Sequence, residues 1–95
     1  MPKLPRPLQV GRPVGSTSTD PVIASAFGQA VVALRTAQGI SQEALALKAG
    51  VDRSFLGRLE RGLHVPNLVA LVKLAAALEC SVAALAGEFE RAYRG

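Results

Sequence analysis

An all-α bundle of five helices is the fold class this sequence predicts, and three observations carry the prediction. Hydrophobic residues make up 49% of the chain but aromatics only 4%, with no Trp, so Ala, Leu and Val must build the core. That mix suits helices better than strands. Apolar residues recur at three- and four-residue spacing in successive stretches, each opened by a capping residue and most closed by Gly. At 95 residues the chain is long enough for one compact core and short for two.

Residues 1–19 are rich in Pro, Gly, Ser and Thr and carry Lys3, Arg6 and Arg12 against no acid. They read as a flexible basic arm, either a tail without a task or a segment that touches phosphates or a minor groove. The folded domain is expected at residues 20–95. Asp20 before Pro21 starts a first helix, since Asp caps free amides and Pro fits the first helical position. Ile23, Phe27, Ala30, Val31 and Leu34 then share a face until about Gln38, and Gly39 stops it. Ser41 caps a second, short helix ending at Gly50, with Glu43 favoured by the helix dipole in its first turn. Asp52 is expected to cap a third helix over about 52–61. Pro66 and Asn67 open a fourth, with Leu68, Leu71, Val72, Ala75 and Leu78 inward. Ser81 caps a fifth, with Val82, Leu85, Phe89 and Tyr93 inward.

The formal net charge is +4 and the pI near 10.0, which suits a polyanionic partner. Cys80 is the single cysteine, so no internal disulfide forms, and it reads as a buried small hydrophobe. With His64 the only histidine, no metal-ligand cluster and no cofactor are expected, and no nucleophile and base pair or Gly-rich phosphate loop suggests an enzyme. Residues 1–10 lack an apolar signal-peptide core, so a cytoplasmic protein is the expectation. The apolar stretch 68–87 contains Lys73 and Glu79 and is broken by Ser81, which argues against a membrane span.

Residues 42–59 carry the most information. Leu45, Ala49, Val51, Leu56 and Leu59 would form the shared core of two helices crossing steeply through a tight turn, with small Ala46 at the crossing and Gly50 supplying the positive φ. On a helical wheel, Phe55, Leu56 and Leu59 fall on one side of the third helix, and Arg53, Ser54, Gly57, Arg58 and Arg61 on the other. Arginine can hold guanine O6 and N7 with two hydrogen bonds in the major groove, and side chains near the helix N-terminus reach deepest. Arg53, Ser54 and Arg58 are therefore the candidates for reading bases. Gly57 in mid-helix costs about 1 kcal/mol relative to Ala; close approach of DNA to the backbone and tolerated drift both account for it.

These motifs resemble a known family, the phage Cro and repressor type of helix-turn-helix proteins, also called the xenobiotic-response-element family. The matching residues are Ile40-Ser41-Gln42-Glu43-Ala44-Leu45-Ala46, Ala49-Gly50-Val51, Leu59-Glu60-Arg61-Gly62, Pro66 and the run 68–78. The resemblance implies a five-helix lambda-repressor-like DNA-binding domain and a transcriptional regulator acting as a dimer on a palindromic operator. It further implies that Gln42 contacts backbone phosphate with help from Ser41, that Arg53, Ser54 and Arg58 lie at base-contacting places, and that Arg35 and Glu60 form a structural ion pair.

Arg61 and His64 complete the expected phosphate contacts, although relatives usually have a basic loop where this chain has Leu63-His64-Val65. His64 there is either a phosphate contact when protonated or incidental. Val82, Leu85, Ala86 and Phe89 are read either as a homodimer interface or as core. Asp52-Arg53-Ser54-Phe55-Leu56 looks somewhat like the controller proteins of restriction-modification systems. The competing readings are an antitoxin or a protein-interaction module that keeps the fold, and a protein partner such as a toxin or RNA polymerase is not legible in the sequence.

Overall fold

The computed structural model describes residues 20–95, so the arm expected at residues 1–19 lies outside the described residues. Five helices follow in order: α1 (Pro21–Ala37), α2 (Gln42–Ala49), α3 (Arg53–Glu60), α4 (Leu68–Ala77) and α5 (Val82–Arg94). Their starts follow from local chemistry. The Asp20 carboxylate accepts from the amides of Val22 and Ile23, and the side chains of Ser41, Asn67 and Ser81 each accept from the amide three residues on. Asp52 occupies the same position before α3, yet its side chain makes no capping hydrogen bond, contrary to the expectation. The start of α3 is held by the turn behind it instead. Gly50 adopts φ 70° and the Val51 amide donates to the Ala46 carbonyl at 3.0 Å, closing α2 and redirecting the chain within three residues.

In the core, α1 packs along α5 and across α3, while α2 packs on α3 and α4. Val31, Leu45, Leu56, Leu59, Leu74, Leu78 and Leu85 are fully enclosed, and Ala30, Ala46, Ala49 and Ala75 let the helices close on them. Each enclosed leucine contributes about 1.5–3 kcal/mol of burial. Phe89 tilts onto Phe27 with centroids 6.3 Å apart, so α5 is pinned to α1 by the aromatic residues the chain does possess. Cys80 is only partly buried and packs against this core.

Four residues expected inward are exposed: Leu68 (71%), Val72 (49%), Val82 (38%) and Tyr93 (50%). The fourth helix is apolar around almost its whole circumference, so periodicity does not fix its rotation; packing between α2 and α5 selects Ala70, Leu74, Ala75 and Ala77 as the buried set. Val82 and Tyr93 lie at the two ends of α5, where the bundle no longer covers them, and Tyr93 stacks on Phe89 at 5.6 Å. Among the described residues no single helix is long and apolar enough to cross a membrane; α4 and α5 meet at a 101° bend.

One contact not evident in the sequence positions α3. At Gly28 of α1, a Cβ would stand 2.5 Å from the Leu59 carbonyl oxygen and 2.8 Å from that of Glu60, so α1 and the end of α3 touch backbone to backbone. These are carbonyl groups of a packed helix and cannot swing aside. Gly28→Ala is expected to destabilise the fold by about 2 kcal/mol, the cost of overpacking a tight crossing, read as a lower urea midpoint with an unchanged m-value.

Candidate nucleic-acid interface

The inner side of α3 is committed to the fold by Leu56 and Leu59, both 0% exposed. Its outer side presents Arg53, Ser54, Arg58 and, at the C-cap, Arg61, all exposed, with half-buried Gly57 between them. Together with Gln42 from α2 these residues line one shallow depression. The separation of faces follows from helical periodicity, because positions 53, 54, 57, 58 and 61 fall on the arc opposite 56 and 59.

Electrostatics sets this face apart. Among the described residues, ion pairs engage Arg35 with Glu60, Lys48 with Glu79, Arg91 with Glu88 and Arg94 with Glu90, whereas Arg53, Arg58 and Arg61 enter none. The positive charge left over is thus gathered mainly on α3. These guanidinium groups are exposed and, among the described residues, make no ion pair, so their donors stay open to a ligand.

Behind the face lies a buried network. The Glu60 carboxylate, its side chain 4% exposed, accepts from Arg35 Nε at 2.7 Å, Arg35 Nη2 at 3.1 Å and Gln42 Nε2 at 2.8 Å. Arg35 also donates from Nη1 to the Ile40 carbonyl at 3.0 Å, so one guanidinium ties α1 to the loop before α2 and to the last turn of α3. Gln42 therefore does more than the sequence suggested. It joins the first turn of α2 to the end of α3, leaving its second amide hydrogen and its Oε1 for other partners. Residues so far apart in the chain give no local signal of this link.

Ser41 is engaged through its oxygen as the α2 cap at 3.0 Å, with its hydroxyl hydrogen still able to donate. His64 leans on the flank of α3: its ring meets Phe55 edge to face at 5.7 Å, and Nδ1 lies 3.2 Å from the Leu63 carbonyl oxygen. Leu85 is fully enclosed in the core, which removes it from any surface α5 offers. Ala86 and Phe89 instead line an apolar groove with Ile23, Phe27, Val65 and Leu71, and Pro66 completes it. Among the described residues no group of three or more His, Cys, Asp or Glu side chains could hold a metal ion.

Two helices crossing through a three-residue turn, with the second exposing an arginine face, define a helix-turn-helix domain. The family model described as Helix-turn-helix matches residues 31–85, and the chain belongs to that family. It is 39% identical over 61 residues to the immunity repressor protein of Bacillus phage phi105, covering 64% of this chain and 42% of the repressor. It is 40% identical over 63 residues to the HTH-type transcriptional regulator SinR of Bacillus licheniformis, covering 65% and 57%. The chain thus spans about half the length of these two relatives. Among solved structures, the restriction-modification controller protein C.AhdI of Aeromonas hydrophila matches with a TM-score of 0.64 and 47% identity, over 65% of this chain and 94% of the controller.

Because Glu60 is buried and its charge is balanced by Arg35, Arg35→Ala leaves a carboxylate without its counter-ion. The substitution is expected to lower stability by about 3 kcal/mol in thermal or urea unfolding. A loss below about 1 kcal/mol would rank the pair with ordinary surface pairs.

Proposed function

We propose that the chain is a transcriptional regulator that binds duplex DNA sequence-specifically through α3. The observation that carries this reading is the outer face of α3, where Arg53, Arg58 and Arg61 stand exposed and, among the described residues, outside every ion pair while the inner face is locked into the core. A helix about 10–12 Å across fits the B-DNA major groove, and guanidinium groups there match guanine O6 and N7. Arg53, Ser54 and Arg58 read bases. Ser41, Gln42, Arg61 and His64 contact phosphate, the first two from the N-terminus of α2, where free amides and the dipole favour an anion.

One recognition helix contacts few bases, and a homodimer on a palindromic operator places two of them in successive major grooves about 34 Å apart. Val82, Ala86 and Phe89 of α5 form the dimer surface, Leu85 being left to the core. The controller type of regulator is favoured by the likeness to C.AhdI, most of whose length the chain covers. Residues 20–95 form the binding domain, residues 1–19 its basic arm, and the protein works in the cytoplasm without catalysing a reaction.

Selection of bound duplexes from a random pool near physiological salt tests this reading. The wild-type chain is expected to enrich a palindromic motif. Arg53→Ala and Arg58→Ala should each lose about 1–3 kcal/mol for the selected site and relax one base preference, whereas Gln42→Ala should weaken all sequences similarly. An unchanged motif in both arginine variants would contradict the readout assignment. No motif from the wild-type chain would favour an antitoxin or interaction module and a protein partner.

A further inference from the structure

Gly57 stands at the centre of the arginine face, in the middle of the eight-residue helix α3. Glycine is the poorest helix former after proline, so its presence there needs a cause. The fold supplies none. Among the described residues a Cβ on Gly57 would meet only Gln42 Oε1, at 3.7 Å, which is ordinary van der Waals contact, and the residue has no positive φ. Gly28 makes the contrast: there a Cβ would collide with two backbone carbonyl oxygens. One glycine is imposed by packing and the other is not.

The surroundings of Gly57 indicate what approaches it. Arg53, Ser54, Arg58, Arg61 and Gln42 rim the depression that its missing side chain leaves, so the floor is bare backbone and the rim is cationic and hydrogen-bonding. An electronegative surface drawn in by the arginines would meet the helix backbone first at this point. In the major groove that surface is the row of base edges, and the reach of Arg53 and Arg58 depends on how closely the helix axis sits to them.

We propose that Gly57 is the point of closest approach between α3 and the base edges of duplex DNA, a positioning residue that sets the depth of the helix and thereby the base pairs Arg53 and Arg58 reach. The inference rests on the DNA-binding reading above and adds to it a residue with no hydrogen-bonding side chain. A methyl group at position 57 lifts the helix from the groove floor, which lengthens both arginine contacts while phosphate contacts at the margins persist.

The test compares wild-type protein with Gly57→Ala and Gly57→Ser in thermal unfolding and in selection from the random duplex pool. Gly57→Ala should raise Tm by about 4–8 °C, because alanine is the better helix former and the fold has room for it. Its affinity for the duplex selected by the wild-type chain should fall about tenfold, the scale of one bidentate base contact, with preference relaxed at the pairs that Arg53→Ala and Arg58→Ala also affect. Gly57→Ser, with the larger side chain, should lose at least as much. A raised Tm with unchanged affinity and motif would overturn the proposal, and so would a lowered Tm in both variants, which would give the glycine to the fold. A wild-type chain that selects no motif overturns the DNA-binding reading itself, a result distinct from a motif shared unchanged by the variants.

Discussion

The buried carboxylate of Glu60 is the constraint on which the arrangement of α3 depends. A charge in a largely dry position must be matched, and here two arginine nitrogens and one glutamine amide converge on it from α1 and α2. Since Glu60 is the last residue of α3, the network fixes the helix at the end where its own hydrogen bonds run out. Gly28 completes the clamp by letting α1 press on the carbonyl groups of Leu59 and Glu60. With Leu56 and Leu59 enclosed as well, the helix has little freedom to roll, and its outer face is presented at a set angle. Recognition of a rigid ligand by a short helix needs this preorganisation, because every degree of freedom frozen on binding subtracts from affinity.

The same pairing logic shapes the electrostatics. A net charge of +4 is unremarkable by itself. Its effect grows from distribution: among the described residues the cations of α1, α2 and α5 are each offset by a nearby carboxylate, while those of α3 are not. An uncompensated cluster attracts an approaching polyanion, and salt weakens that attraction beyond a Debye length of about 8 Å. Gln42 links the two halves of the picture, because its amide belongs to the buried network while its position at the start of α2 looks toward the same surface as the arginines.

Much of this was legible in the sequence. The caps at Asp20, Ser41, Asn67 and Ser81 are local chemistry, and Gly50 announces the turn because few other residues take its φ. The division of α3 into leucine and arginine faces is a matter of periodicity alone. What stayed hidden depends on contacts between distant residues or on the rotation of a uniformly apolar helix. Leu68 and Val72 look like core until packing chooses Ala70 and Leu74 beside the expected Ala75, and nothing near Gly28 in the sequence signals the carbonyl groups it meets across the bundle. Asp52 is the reverse case, a strong capping residue whose side chain goes unused because the turn already fixes the start of α3. The joint role of Gln42 and Glu60, eighteen residues apart, arises only from the way α2 and α3 pack.

On the proposed function, the outer face of α3, held by the Glu60 network, is the surface that meets duplex DNA. Backbone amide shifts followed by nuclear magnetic resonance while the chain is titrated with duplex DNA would locate that surface residue by residue. The largest shifts should fall at Ser41, Gln42 and from Arg53 through Arg61, and diminish as salt is raised. Shifts concentrated on α5 and the groove beside Phe89, or none at all along α3, would contradict it.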